Sequence, residues 1–189
     1  MNISKQLAVF PLPIFLLPNG RTKLRIFEPK YIRMVKESAG KDGFVISLSQ
    51  EAEPFNTANW GAWVSVIDFE PLPGGLLGIT VEAKSLVNLT DLFLEQDDLL
   101  KATISERAHW SQQQTNVTNK DIVQAYEDLL EQQPLLQGLY PNIPQANIQW
   151  TVSRWLEILP LSFDSRKKLS HFNSFELALD TVKTILIGK

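Results

Sequence analysis

The chain has 189 residues, 44% apolar and 21% charged, with a net charge of −3. These fractions are those of a soluble globular protein and argue against global disorder. No apolar run approaches the roughly 20 residues of a membrane span. Cysteine is absent, which removes disulfides, Cys-ligated zinc, iron–sulfur clusters and thiol nucleophiles.

The N-terminal half reads as short strands: Leu7–Phe10, Lys23–Phe27, Gly43–Leu48, Ala62–Phe69, Leu76–Val81, Ser85–Asp91 and Leu100–Glu106. Several alternate with period two, and Val and Ile are frequent. One helix interrupts them. Glu28-Pro29 opens it, Tyr31, Met34, Val35 and Ser38 share a face, and Gly40 ends it. Pro73-Gly74-Gly75 signals a hairpin between the strands on either side. Residues 108–118 are polar and aperiodic and read as a linker. Helices follow. Asn119 starts one that Pro134 stops, with Ile122, Val123, Tyr126, Leu129 and Leu130 as its apolar stripe. Pro141 and Pro144 bracket a loop. A second helix runs from about Ala146 to Leu159, a short one begins at Ser162 and ends at Leu169, and Ser174 starts the last. The expected fold class is therefore α+β. A curved sheet or barrel with its linker occupies 1–117, and a helical subdomain occupies 118–189.

Most sites that carry chemistry are missing their residues. No phosphate-binding loop, dinucleotide fingerprint or Gly-x-Ser-x-Gly elbow occurs. Asp97-Asp98 and the Glu51/Glu53 pair sit in polar loop contexts, where solvated turns are the plainer reading. His109 and His171 stand far apart, with no helical His pair to seed a metal site. No catalytic residue, cofactor or metal is expected. Arg21, Lys23 and Arg25 alternate along a strand, and Lys30, Arg33 and Lys36 share a helix side. They form either a basic patch or a solvated outer face with Arg33–Glu37 as a helical ion pair. Phe55, Trp60, Trp63 and Phe69 read as core, or as an adhesive apolar surface where exposed. The run Phe10 to Pro18 reads as core or as a groove wall.

Several stretches resemble a known family. Phe10-Pro11-Leu12, Pro18-x-Gly20 and Leu24-Arg25-Ile26-Phe27-Glu28-Pro29-Lys30-Tyr31 closely resemble the start of the Lon protease N-terminal domain. Gly61-Ala62-Trp63-Val64-Ser65-Val66-Ile67-Asp68-Phe69 and Gly78-Ile79-Thr80-Val81 continue the likeness. Arg154-Trp155-Leu156-Glu157-Ile158-Leu159-Pro160-Leu161 and Ser165-Arg166-Lys167-Lys168-Leu169 extend it into the helical half. Trp60 and Trp63 depart from the smaller residues expected around Gly61. The chain looks most like the stand-alone bacterial proteins built from this domain, since no ATPase or Ser–Lys protease signature is present. The resemblance implies a PUA-like pseudo-barrel followed by a helical bundle.

It also implies a non-catalytic module that binds unfolded or client polypeptides, in protein quality control or regulated proteolysis. The contact candidates are Phe15, Leu17 and Trp60 as apolar groups and Arg25 and Arg33 as polar ones. A protease or ATPase partner and a homo-oligomer are further expected partners; a membrane is not. An RNA-binding PUA-like module is the alternative, which the acidic net charge opposes. A cytoplasmic location is expected, because the first residues lack a signal-peptide pattern and cysteine is absent.

Overall fold

Leu7, Val9, Val45, Val87, Leu89, Leu100, Ala102 and Ile104 form one apolar cluster, drawn from four strands far apart in sequence. Their alternate spacing puts them on one side of the sheet, and on β1 and β3 the other side is apolar too, with Ala8, Phe10, Phe44 and Ile46 also buried. The computed structural model describes residues 5–110, 119–141 and 147–188. Its N-terminal half contains β1 (Lys5–Leu12), β2 (Arg21–Ile26), α1 (Pro29–Ser38), β3 (Phe44–Ser49), β4 (Thr57–Leu72), β5 (Leu76–Leu94) and β6 (Leu100–Arg107). The sheet order is β2-β5-β4-β3-β1-β6, and β6 also pairs with β5. That extra pairing closes five strands into a ring and leaves β2 outside it. β1 and β3 run parallel and the other pairs antiparallel.

The two strands expected at Leu76–Val81 and Ser85–Asp91 are one. Trp63 pairs with Ser85 and Val64 with Ala83, so Lys84 is an extra residue that bends β5 without ending it. The long strand pairs with β4 along one side and serves two partners on the other, β2 along its first half and β6 along its second. Helix α1 forms as the spacing predicts. Pro29 occupies its first turn, and Met34, Val35 and Ser38 are buried. Gly43 then turns the chain into β3 at φ +76°, where a Cβ atom would lie 1.9 Å from the Val64 carbonyl oxygen. Only glycine fits there.

The chain divides into two units between Arg107 and Ala108. The second holds α2 (Lys120–Gln132), α3 (Pro134–Gln137), α4 (Ile148–Ile158), α5 (Phe163–Leu169) and α6 (Phe175–Ile187). Of the segment read as a linker, residues 111–118 lie outside the described residues. His109 and Trp110 belong to the helical unit. Trp110 is buried against Phe175, and its indole N–H donates to the Leu169 carbonyl at 3.0 Å. The Pro144 end of the expected loop also lies outside the described residues. Asn147 caps α4 by accepting from the Trp150 N–H, and Ser162 caps α5 by accepting from the Ser165 N–H.

Helix α4 is buried from Trp150 through Leu156 and packs against α2 and α6. At its centre Arg154 grips the Glu157 carboxylate with two hydrogen bonds of 2.7 Å. The Arg154 guanidinium also lies over the rings of Trp150 and Tyr140, at 5.4 and 5.9 Å. Tyr126 packs edge-on against Trp150 and Trp155. Burial pushes the Tyr126 hydroxyl well above the ordinary tyrosine range. Among the described residues no helix is long and apolar enough to cross a membrane.

Candidate functional site

The last residue of β4 that pairs with β3 is Val64, opposite Phe44. Beyond it β4 continues to Leu72 with β5 on one side only. β2 lies on the other side of β5. The result is a three-stranded ribbon, β2-β5-β4, that leaves the ring. It is closed at its tip by Pro73-Gly74-Gly75, with both glycines at positive φ.

One face of the ribbon is apolar. Leu24, Ile79 and Phe69 stand in one cross-strand row, and Ile26, Leu77 and Pro71 in the next. Leu24, Ile26 and Ile79 are buried, whereas Phe69 is 52% exposed and Pro71 is exposed. Ile67, the extra residue of a second bulge between Val66 and Asp68, is 46% exposed, and Phe27, just past β2, is 63% exposed. Single exposed apolar residues are ordinary. Here Phe69, Pro71 and Ile67 continue a face whose inner part is already core, whereas Phe27 lies beyond the end of β2.

The opposite face is charged and balanced. Arg21 on β2 pairs with Glu82, its cross-strand neighbour on β5, at 2.6 Å. Lys23 reaches Glu70 on β4 at 3.2 Å. The Asp68 carboxylate accepts the Phe69 main-chain N–H at 2.9 Å. Arg25 is exposed. The expected choice between a basic patch and a solvated, paired face therefore resolves toward pairing for Arg21 and Lys23.

Arg33 sits elsewhere, on α1. It donates two hydrogen bonds to Asp97, at 2.8 and 2.7 Å, and one each to Glu37 and Glu95. Lys101 pairs with the other oxygen of Glu95 at 2.9 Å. The Asp97 carboxylate, then those of Glu95 and Glu37, push the Arg33 guanidinium further above its ordinary value. Lys101 first, then Arg33, holds the Glu95 carboxyl below the usual range. Arg33 does the same for Asp97. This cluster ties α1 to the β5–β6 turn. The helical ion pair with Glu37 is present as the i, i+4 spacing predicts.

Three of the five contact candidates are corrected. Phe15, Leu17 and Trp60 are 4%, 0% and 2% exposed, so none presents a surface. Phe15 packs edge-on against Trp60 at 5.9 Å, and the Arg107 guanidinium covers the Trp60 ring at 4.9 Å. They build the core because the run after β1 folds inward. The expected aromatic group also splits. Trp60 is core, Trp63 is half-buried, and Phe55 and Phe69 are exposed. Arg25 and Arg33 keep their polar settings but lie in different places, one on the ribbon and one in the α1 cluster. Phe27 and Ile67 are exposed apolar groups that the sequence pattern does not single out. The usable signal was the match of Asp68 and Glu70 to the cations of β2, which marks one face of the ribbon as polar and leaves the other for Phe69. Among the described residues no group of His, Asp or Glu side chains is arranged to hold a metal ion.

Comparison with known proteins gives the fold a context. A family model described as the substrate-binding domain of ATP-dependent protease La (Lon) matches residues 6–183. A Lon N-terminal domain protein from Xanthomonas campestris superposes with a TM-score of 0.68 at 22% identity, over 93% of this chain and 98% of that one. The N-terminal domain of a Mycobacterium avium complex Lon protease superposes with a TM-score of 0.62 at 10% identity, over 95% and 96%. No curated protein matches.

Proposed function

The chain belongs to the Lon substrate-binding domain family, and from that premise we propose that it is a non-catalytic module that binds polypeptides through its ribbon. The observation that carries this reading is the apolar face that runs out of the core and stays open at Phe69 and Ile67, with exposed Phe27 just past the end of β2. Such a face favours an extended or unfolded partner, whose own apolar side chains are not folded away. Fully burying a Phe side chain contributes about 1.5–3 kcal/mol, so two or three such groups support weak, reversible capture. That suits a module acting in the cytoplasm, in protein quality control or regulated proteolysis, alongside a protease or ATPase partner.

The RNA-binding alternative has less support. Non-specific phosphate binding draws on an excess of positive charge, and this chain carries a net charge of −3 with Arg21 and Lys23 matched by Glu82 and Glu70. Fluorescence anisotropy with a labelled, permanently unfolded polypeptide and a labelled single-stranded RNA, each at low and high salt, separates the two. The proposal expects salt-tolerant binding of the polypeptide alone. RNA binding that collapses with salt would replace it.

A further inference from the structure

We propose that the outer edge of β2 is a strand-addition site that selects an extended segment with carboxylates at alternate positions. The inference rests on the reading of this chain as a polypeptide-binding module and names the kind of polypeptide that the β2 edge takes. β2 ends the sheet order, with β5 on one side and no strand on the other among the described residues. The register fixes which main-chain groups face outward. The Ala83 N–H donates to the Gly20 carbonyl at 2.8 Å, and bonding direction alternates along an antiparallel pair. Thr22, Leu24 and Ile26 therefore bond inward to β5, and Lys23 and Arg25 direct their main-chain groups outward.

The residues whose main chain is open are thus the ones that carry exposed cations. An incoming antiparallel strand exchanges hydrogen bonds with Lys23 and Arg25 and places the side chains opposite them on the same face. Carboxylates there face cations at close range. Glu70, which pairs with Lys23, lies on β4, and Glu82, which pairs with Arg21, lies on β5, both behind the edge. The intervening residues of the incoming strand fall on the face of Leu24 and Ile26 and extend it, so they are apolar. Phe27, at the end of β2, offers further apolar contact.

The same argument excludes a second copy of β2 as the occupant. Antiparallel self-pairing centred on Lys23 sets Lys23 against Lys23 and Arg21 against Arg25, and like charges directly opposite are destabilising. Exposed cations are a common guard against edge-to-edge association. Here they also define the partner.

The test uses the full chain, labelled with nitrogen-15, and three synthetic peptides: alternating Glu and Val, alternating Lys and Val, and the Glu–Val peptide N-methylated at every Glu. The Glu–Val peptide is expected to shift the amide signals of Lys23 and Arg25 and to bind about tenfold more tightly than the Lys–Val peptide. N-methylation is expected to abolish that binding, because it removes the ladder donors. Arg25→Glu changes an exposed side chain and is expected to bring the two unmethylated peptides to near parity. Equal binding of both by the unaltered chain, shifts confined to other strands, or full binding of the methylated peptide would each overturn the inference. A carboxymethylated unfolded polypeptide serves as control. If it binds and the Glu–Val peptide does not, the β2 assignment falls and the polypeptide-binding reading stands. If neither binds, both fall.

Discussion

Two arginines grip carboxylates with the same two-point geometry, one in each unit, and their settings are opposite. Arg154 in the helical unit is 1% exposed and its partner Glu157 8%. Arg33 in the strand unit holds Asp97 while both remain open to solvent. For Arg154, burial is the largest single influence and works to lower the pKa, but the charge and hydrogen bonding of Glu157, with Tyr140 and Tyr126, together outweigh it and the net shift is upward. The pairs teach that geometry alone does not set the energetic weight of an ion pair. A buried pair is costly to break because one charge is left without water or partner. A solvated pair loses little, because water replaces the partner. The helical unit has a charged pair at its centre, whereas the ion pairs of the strand unit are partly open to solvent.

Substitutions probe that contrast at both ends. Arg154→Leu removes both hydrogen bonds from the guanidinium to the buried Glu157 carboxylate and is expected to cost about 3–5 kcal/mol. Hydrogen exchange followed by mass spectrometry should place the loss in residues 119–188. Similar protection in both variant and parent would show that the pair is not what holds α4. Gly43→Ala forces a Cβ against the Val64 carbonyl at positive φ and is expected to cost about 3 kcal/mol, read as a lower denaturation midpoint of the strand unit. An unchanged midpoint would mean that the β3–β4 junction yields more easily than its geometry suggests.

The ribbon and the Arg33 cluster should respond more gently. Ile67→Ser with Phe69→Ser removes two half-exposed apolar groups and is expected to shift stability by no more than about 0.5 kcal/mol. The same change is expected to weaken polypeptide capture about tenfold by anisotropy. A fall in stability without a fall in affinity would make this face structural. The smallest effect concerns pH. Asp97 and Glu95 titrate below the ordinary carboxylate range in the folded chain. Their pairing therefore stabilises the fold fully above that range and is lost as pH falls through their lowered values. Arg33→Leu should lower stability slightly near neutrality and flatten the acid side of the stability–pH curve, so that variant and parent converge below about pH 4. A uniform vertical offset instead would point to lost packing of the Arg33 stem.

The sequence made local relationships legible and left distant ones hidden. The stripe of Met34, Val35 and Ser38 and the pairing of Arg33 with Glu37 follow from helical spacing. The hairpin at Gly74-Gly75 follows from glycine chemistry. Lys84 and Ile67 gave no sign of being bulged residues, because a bulge depends on the partner strand's register. Asp97 could not be tied to Arg33 across sixty-four positions. Phe15, Leu17 and Trp60 read equally as core or as contact residues, because apolar character does not distinguish the two. What separates Phe69 from Ile79, its neighbour in the same row, is where β3 stops, and that is a property of the sheet and not of either residue.

Hydrogen exchange of the full chain, with and without a permanently unfolded polypeptide, tests the central claim most directly. Binding at the ribbon predicts slowed exchange across residues 21–27 and 65–80, with the helical unit unchanged. Protection concentrated in the helical unit, around exposed Leu135, Phe172 or Ile185, would contradict it and move the binding surface to the helices.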